Sequence, residues 1–191
     1  INPGNAGSSY FNATNINGVL YFRPDDGVHG DELWKSNGTA AGTVLVKDIN
    51  PGTAGSELQE FTNVNGLLYF RANDGIHGIE LWKSDGTDAG TVMVKDINPG
   101  ASDSYASYLT VVGGVLYFAA DEGVNGYELW KSDGTEAGTV MVKDISGGAA
   151  HSVFYSLIAA DKVLYMALDD NVHGRELWKS DGTAAGTMLI K

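Results

Sequence analysis

No cysteine occurs among the 191 residues. That absence excludes disulfides, thiolate catalysis and cysteine-ligated zinc, and leaves stability to packing, with or without a bound metal. Basic residues are scarce: 12 Lys and Arg stand against 24 Asp and Glu, a formal charge of -12. A chain so acidic does not bind nucleic acid, which requires clustered Lys and Arg, but its surface favours solubility and divalent cations. There is no long apolar run, so membrane insertion is not expected. No initiator methionine and no signal peptide are visible, although a chain lacking its natural start would have lost one. Helical periodicity is absent throughout.

What the chain has instead is repetition. Glu-Leu-Trp-Lys-Ser-(Asp/Asn)-Gly-Thr begins at Glu32, Glu80, Glu128 and Glu176, a strict period of 48 residues without insertion or deletion. Leu-Tyr recurs in the same register at Leu20, Leu68, Leu116 and Leu164, and Ala-Gly-Thr recurs at Ala41, Ala89, Ala137 and Ala185. The 26 glycines keep fixed repeat positions beside apolar stretches, which marks them as turn residues and not as disorder. Both ends of the chain fall at one repeat boundary, so residues 1–191 are expected to form one domain of four units, 1–48, 49–96, 97–144 and 145–191, cut from or belonging to a longer array.

The second unit shows the internal plan. Leu58 to Val64 reads as a first strand, and Asn65-Gly66 supplies the two left-handed residues of a tight hairpin. Leu67 to Ala72 is a second strand, with a run Leu67-Leu68-Tyr69-Phe70 that is apolar on both faces, as in a sheet covered on both sides. A polar loop from Asn73 to Gly78 precedes a third strand, Ile79 to Ser84, and a turn from Asp85 to Gly90 precedes a fourth, Thr91 to Ile97. Four antiparallel strands in a unit of this length predict an all-β protein, a four-bladed β-propeller with one blade per 48-residue repeat. A single closed ring is the favoured arrangement. Two chains pairing into an eight-bladed ring, or an open array continuing through the ends, are the alternatives.

The repeated octapeptide resembles the motif of the bacterial Glu-Leu-Trp-x-x-Asp-Gly-Thr repeat proteins. The match is full at Glu80 to Thr87, Glu128 to Thr135 and Glu176 to Thr183, whereas the first copy carries Asn37 for the aspartate. The resemblance implies a large secreted or surface-attached bacterial protein with propeller-like repeats, and it brings no catalytic residues with it. Two other propeller signatures fail on the residues. The Ser-Asp-Gly-Thr turn lacks the spacers and aromatic of an Asp box, and each repeat tryptophan is followed by lysine where a WD repeat has aspartate.

Candidate chemistry concentrates in the loop between second and third strands, where Asp25-Asp26, Asn73-Asp74, Asp121-Glu122 and Asp169-Asp170 gather oxygen ligands around Gly turns. Such a set suits calcium, though aspartates also cap turns with their own side chains, and the spacing is no EF-hand. Trp34, Trp82, Trp130 and Trp178 are read first as wedge-fillers between blades and second as ligand platforms. His29, His77 and His173 share one loop position, where hydrogen bonding is a better reading than a metal ring. His151-Ser152 is no catalytic pair, because the serine recurs in every repeat. The Ser-Asp-Gly-Thr-x-Ala-Gly-Thr segment is turn chemistry and not a phosphate loop, since it joins two strands.

Variation between repeats is concentrated in the first strand and the connection before it: Tyr10 to Ala13, Leu58 to Phe61, Ala106 to Leu109 and Phe154 to Leu157 differ throughout. Asymmetric recognition, if present, belongs there. The sequence therefore predicts a non-enzymatic extracellular or cell-surface structural or adhesive module, with copies of itself or neighbouring repeat units as partners. The alternative is a multivalent carbohydrate-binding propeller, one shallow site per blade, recognising cell-surface glycans. No catalytic residues are assigned, and no cofactor beyond calcium is implied.

Overall fold

The structure, a computed structural model, describes residues 1–2 and 12–191. The Tyr10-Phe11 part of the first variable segment lies outside the described residues. The first blade comprises β1 (Ala13–Ile16), β2 (Val19–Phe22), β3 (Leu33–Ser36) and β4 (Val44–Lys47). The second comprises β5 (Gln59–Val64), β6 (Leu67–Asn73), β7 (Ile79–Ser84) and β8 (Val92–Lys95). The third comprises β9 (Ser107–Val112), β10 (Val115–Asp121), β11 (Tyr127–Ser132) and β12 (Val140–Lys143). The fourth comprises β13 (Val153–Ala160), β14 (Val163–Asp169), β15 (Arg175–Ser180) and β16 (Met188–Leu189). Each blade is an antiparallel sheet with its strands in sequence order, so the protein is all-β and forms the four blades of a β-propeller. First strands of consecutive blades lie side by side, β1 against β5, β5 against β9 and β9 against β13, which makes them the inner rim.

Strand alternation divides each sheet between two cores. In the second blade Leu68, Phe70, Ala72 and Trp82 point back toward the first blade, joining Tyr21, Leu33, Val46 and Ile49. Tyr69, Leu81, Val94 and Ile97 point forward and join Leu116, Phe118, Ala120 and Trp130 of the third blade. The third and fourth blades repeat the arrangement with Tyr117, Leu129 and Val142 against Leu164, Met166, Leu168 and Trp178. The doubly apolar second strand follows from this: both faces are interior, so neither can be polar.

Polar bonds cross the same interfaces. Lys35 Nζ donates to the Gly86 carbonyl of the next blade at 2.7 Å, Lys83 to Gly134 at 2.8 Å and Lys131 to Gly182 at 2.8 Å. The receiving glycine has no substitute. Gly134 has φ +89°, and a Cβ there would lie 2.1 Å from the Tyr69 hydroxyl of the preceding blade. Lys95 and Lys143, on the outer strands, donate to the Thr139 and Thr187 carbonyls at 3.0 and 2.8 Å. These lysines tie one blade to the next.

The turn of the octapeptide closes on itself. Asp85 Oδ1 accepts from Thr87 N and Thr87 Oγ1 at 2.8 and 2.7 Å, and Thr87 Oγ1 accepts from Gly90 N at 2.9 Å. Asn37 does the same in the first blade, accepting from Thr39 N at 3.1 Å and Thr39 Oγ1 at 2.7 Å, so the substituted copy keeps the turn.

Among the described residues the fourth and first blades do not share a packed core like those of the other three interfaces, as the expected single closed ring would require. The forward face of the fourth blade is bare. Leu177 is 45 % exposed and Ile190 46 %, whereas their counterparts Leu33, Leu81 and Leu129 are at 0 % and Val46, Val94 and Val142 at 6 to 7 %. On the back of the first blade Leu20 is 39 % exposed where Leu68, Leu116 and Leu164 are at 0 %. Among the described residues the four blades thus leave an apolar face partly uncovered at each end, with Leu20 open on the back of the first blade while Phe22 beside it is buried at 4 %. Sequence periodicity fixes the strands of a blade but carries no direct measure of the angle between blades, which decides closure.

The four motif leucines therefore form an internal control. Leu81→Ala or Leu129→Ala should cost about 2–5 kcal/mol of stability as a cavity opens between two blades. Leu177→Ala should cost about 0.5 kcal/mol or less. Urea unfolding of the three variants checks this, and equal losses at all positions would contradict the uncovered face of the fourth blade.

Candidate functional site

The motif glutamate is the most deeply placed acid. Glu32, Glu80 and Glu128 are wholly buried, and each holds the chain entering the following blade. Glu32 Oε2 accepts from Ile49 N at 2.8 Å and Oε1 from Asn50 N at 3.3 Å. Glu80 accepts from Ile97 N at 3.0 Å and Asn98 N at 3.1 Å. Glu128 accepts from Ile145 N at 2.9 Å and from Ser152 Oγ at 2.9 Å. Burial outweighs these bonds and pushes the Glu32 and Glu80 carboxyls up to about 7; Glu128 is raised for the same reason. Glu176 is half-buried.

The acidic loops are occupied by their own backbone. Asp26 Oδ1 accepts from Val28 N and His29 N at 2.9 and 2.8 Å, and its Oδ2 bonds His29 Nδ1 at 2.7 Å. Asp74 with His77 and Asp170 with His173 repeat this geometry. Asp25, Asp121 and Asp169 accept from the amides of Gly27, Gly123 and Asn171, at 2.6, 2.7 and 2.7 Å. Glu122 accepts from the Asn125 amide. A calcium ion would have to displace these bonds, and among the described residues no group of three or more His, Cys, Asp or Glu could hold a metal. The histidine three residues after the aspartate was the signal in the sequence that this pair serves the loop.

The four tryptophans lie in different places and do not converge. Trp82, Trp130 and Trp178 are wedged between blades at 7, 3 and 6 % exposure, with Lys95 and Lys143 about 5.8 and 5.9 Å above the last two rings. Trp34 is half-buried on the uncovered back of the first blade.

What does converge is a cleft of about 650 Å³ where the inner ends of the second, third and fourth blades meet. Glu60 and Arg71 come from the second blade, Tyr105, Tyr108, Asp121 and Tyr127 from the third, and His151 and Phe154 from the fourth. Tyr127 packs edge-on to Phe154 with ring centres 5.9 Å apart, and Tyr108 lies 6.5 Å from the same ring. The Tyr108 hydroxyl donates to the Phe154 carbonyl at 2.8 Å and the Tyr127 hydroxyl to the Tyr105 carbonyl at 3.2 Å. Burial pushes the Tyr127 phenol up to about 12, so it stays a donor. His151 Nδ1 accepts from Tyr127 N at 3.0 Å, which leaves the ring proton on Nε2. Only the variability of the first strands pointed here from sequence. His151 lies in the variable connection before the fourth blade's first strand, whereas Arg71 and Tyr127 lie elsewhere in the repeat, and the three were not singled out as a group.

Comparison with known proteins is sparse. No protein-family model matches the chain, and no curated protein matches it. Among solved structures it is similar to a crystal structure of a puromycin hydrolase mutant complexed with PGG, with a TM-score of 0.56 at 14 % identity. That likeness covers 96 % of this chain and 31 % of the hydrolase, so the chain spans about a third of the protein it matches. At such identity the likeness is one of fold.

The carboxyls and histidines set a pH profile. Glu32 and Glu80 bind a proton more tightly folded than unfolded, so stability falls as pH rises from 4.5 to about 7. His29 and His77, raised chiefly by their bonds to Asp26 and Asp74, add stability that is complete below 6.5 and lost as pH rises through their folded values. Burial alone would raise Asp26, Asp74 and Asp170, but bonds from the histidine amide and ring and the neighbouring amide outweigh it and hold them low, Asp170 to about 2. Their contribution is present above 3.8 and fades as pH falls through the lowered values. The urea midpoint should therefore be higher at pH 5 than at pH 8, with a shallower slope after Glu32→Gln and Glu80→Gln. A midpoint that rises between those two values would contradict it.

Proposed function

We propose that the chain is a non-enzymatic structural or adhesive module of an extracellular bacterial assembly, in which blades of one unit join blades of the next. One observation carries this reading: the four blades end in two partly uncovered apolar faces whose chemistry matches the two sides of an interface that the molecule already builds three times. Ile158, Tyr165, Leu177 and Ile190 on the fourth blade are what a forward face presents. Leu20 and Trp34 on the first blade are what a back face presents. A second copy docked head to tail would extend an established contact without new chemistry, and an interface of this kind propagates into an open array or a larger ring according to its angle. The octapeptide resemblance supports the bacterial surface setting.

The residues of the motif support the reading further, since in the first three copies the glutamate and lysine bond to the following blade and the Ser-Asp-Gly-Thr segment turns the chain. A lectin with one equivalent site per blade has less support, because the recurrent aspartates are bonded within their loops and three of the four tryptophans are closed to solvent.

Sedimentation velocity over a concentration series is the test. The chain should associate as concentration rises, and Leu20→Asp or Leu177→Asp should each abolish extended assembly. Mixed together, those two variants keep one good face each and should stop at a heterodimer. A wild-type chain that stays monomeric up to millimolar concentration would overturn the proposal.

A further inference from the structure

The cleft between the inner ends of the second, third and fourth blades is built from departures from the repeat. At the position of Tyr105 the other described blades carry Glu57 and Val153; at Tyr108, Asn12, Glu60 and Ser156; at Tyr127, Asp31, Ile79 and Arg175. At the position of His151 the second and third blades carry Gly55 and Asp103. Phe154 and Tyr127 belong to the core between the third and fourth blades, whereas Tyr105 and Tyr108 are additional rings left open above it.

Its backbone is held in an uncommon conformation. Glu60 has φ +64°, Tyr105 +51° and Tyr108 +61°, left-handed values that favour glycine and strain a residue with a side chain. They sit at or beside bulges, where the pairing of β5 with β6 shifts between Gln59 and Thr62 and that of β9 with β10 shifts near Ser107. A bulge of this kind re-aims side chains, and Glu60, Tyr105 and Tyr108 all line the cleft. Glu57 and Glu60 of the second blade share these left-handed values with their counterparts Tyr105 and Tyr108, while Val153 and Ser156 in the fourth blade do not, although β13 also shifts register between Phe154 and Ser156.

The lining has a definite chemistry. Tyr105 is 52 % exposed and Tyr108 36 %, so two aromatic surfaces are open to a ligand above the buried contacts of Tyr127 and Phe154. The polar groups are fixed. Arg71 Nη1 donates to Ser107 Oγ at 2.7 Å and Nη2 donates to Gln59 Oε1, while Glu60 Oε2 accepts from Leu109 N at 3.3 Å. Each carboxylate of Glu60 and Asp121 retains acceptor capacity beyond the bonds it makes, and His151 presents an Nε2 donor. Arg71 is one cation against two carboxylates, in a chain of net charge -12. An anionic ligand is therefore disfavoured, and a purely apolar one would strip water from Glu60, Asp121 and Arg71 without replacing its bonds.

We infer that the cleft is a single binding site for a neutral oligosaccharide, with sugar rings laid against Tyr105 and Tyr108 and hydroxyls bonded to Glu60, Asp121 and His151. A sugar ring is the ligand that pairs an apolar C–H face with a rim of hydroxyls that both donate and accept. Its preformed bonds lower the ordering cost of binding. The site does not depend on self-assembly, because it lies away from both bare blade faces.

The test is titration of the isotope-labelled chain with neutral hexasaccharides of glucose, xylose, mannose and N-acetylglucosamine, followed by amide chemical shifts. At least one of them should bind at one site per chain, moving the amides of Tyr105, Tyr108 and His151. Tyr105→Ala, which removes a ring 52 % exposed, should weaken binding at least tenfold, while Tyr105→Phe, which keeps the ring and loses only the hydroxyl's bond to Asp103, should retain most of the affinity. Tyr108→Phe, which keeps the ring and loses the bond to Phe154, should retain most of the affinity. No shift with any of the four sugars, undiminished binding by Tyr105→Ala, or preferential binding of a sulfated hexasaccharide would each overturn the inference.

Discussion

Every blade in this protein depends on its neighbour to bury a sheet face. A four-stranded sheet with apolar side chains on both faces cannot stand alone in water, and the forward face of one blade finds cover only under the back of the next. The octapeptide is the chemistry of that contact. Its glutamate holds the incoming chain of the next blade, its leucine points forward, its tryptophan points back, and its lysine reaches the following blade's glycine carbonyl. The remaining Ser-Asp-Gly-Thr turns the chain and supplies that carbonyl. A protein without disulfides acquires its rigidity from one interface made repeatedly.

The buried glutamates show how this interface is balanced. A carboxyl at 0 % exposure loses its hydration, and two backbone amides return only part of it, so the group keeps its proton more readily. The same arrangement in three copies places the connection between blades under control of one ionisable group each. The surface aspartates have the opposite balance, because the amides and ring of the loop satisfy them while water remains near.

Much of this was legible in the residues. The strands of the second blade fall within a few residues of their expected positions, from Leu67–Asn73 for Leu67 to Ala72 to Val92–Lys95 for the longer Thr91 to Ile97, because alternation and Asn-Gly turns are local signals. The wedge position of Trp82 was likewise legible, since one large residue per sheet must fill the gap. Closure was not: whether Leu177 is covered depends on the angle accumulated over three interfaces, which no single repeat encodes. Nor was the cleft, whose members Arg71, Tyr108, Tyr127 and His151 are separated in sequence and join only when three blades bring their inner ends together. Regular positions describe the scaffold, and the departures from them carry the recognition chemistry.

The absence of cysteine makes the two uncovered faces directly measurable. With Leu20→Cys and Leu177→Cys in one chain, a short bis-maleimide can join only the two bare faces. The account predicts cross-links between chains, seen as a ladder of dimers and higher species on a denaturing gel. Quantitative cross-linking within single chains at high dilution would mean that the fourth blade closes on the first, and would contradict it.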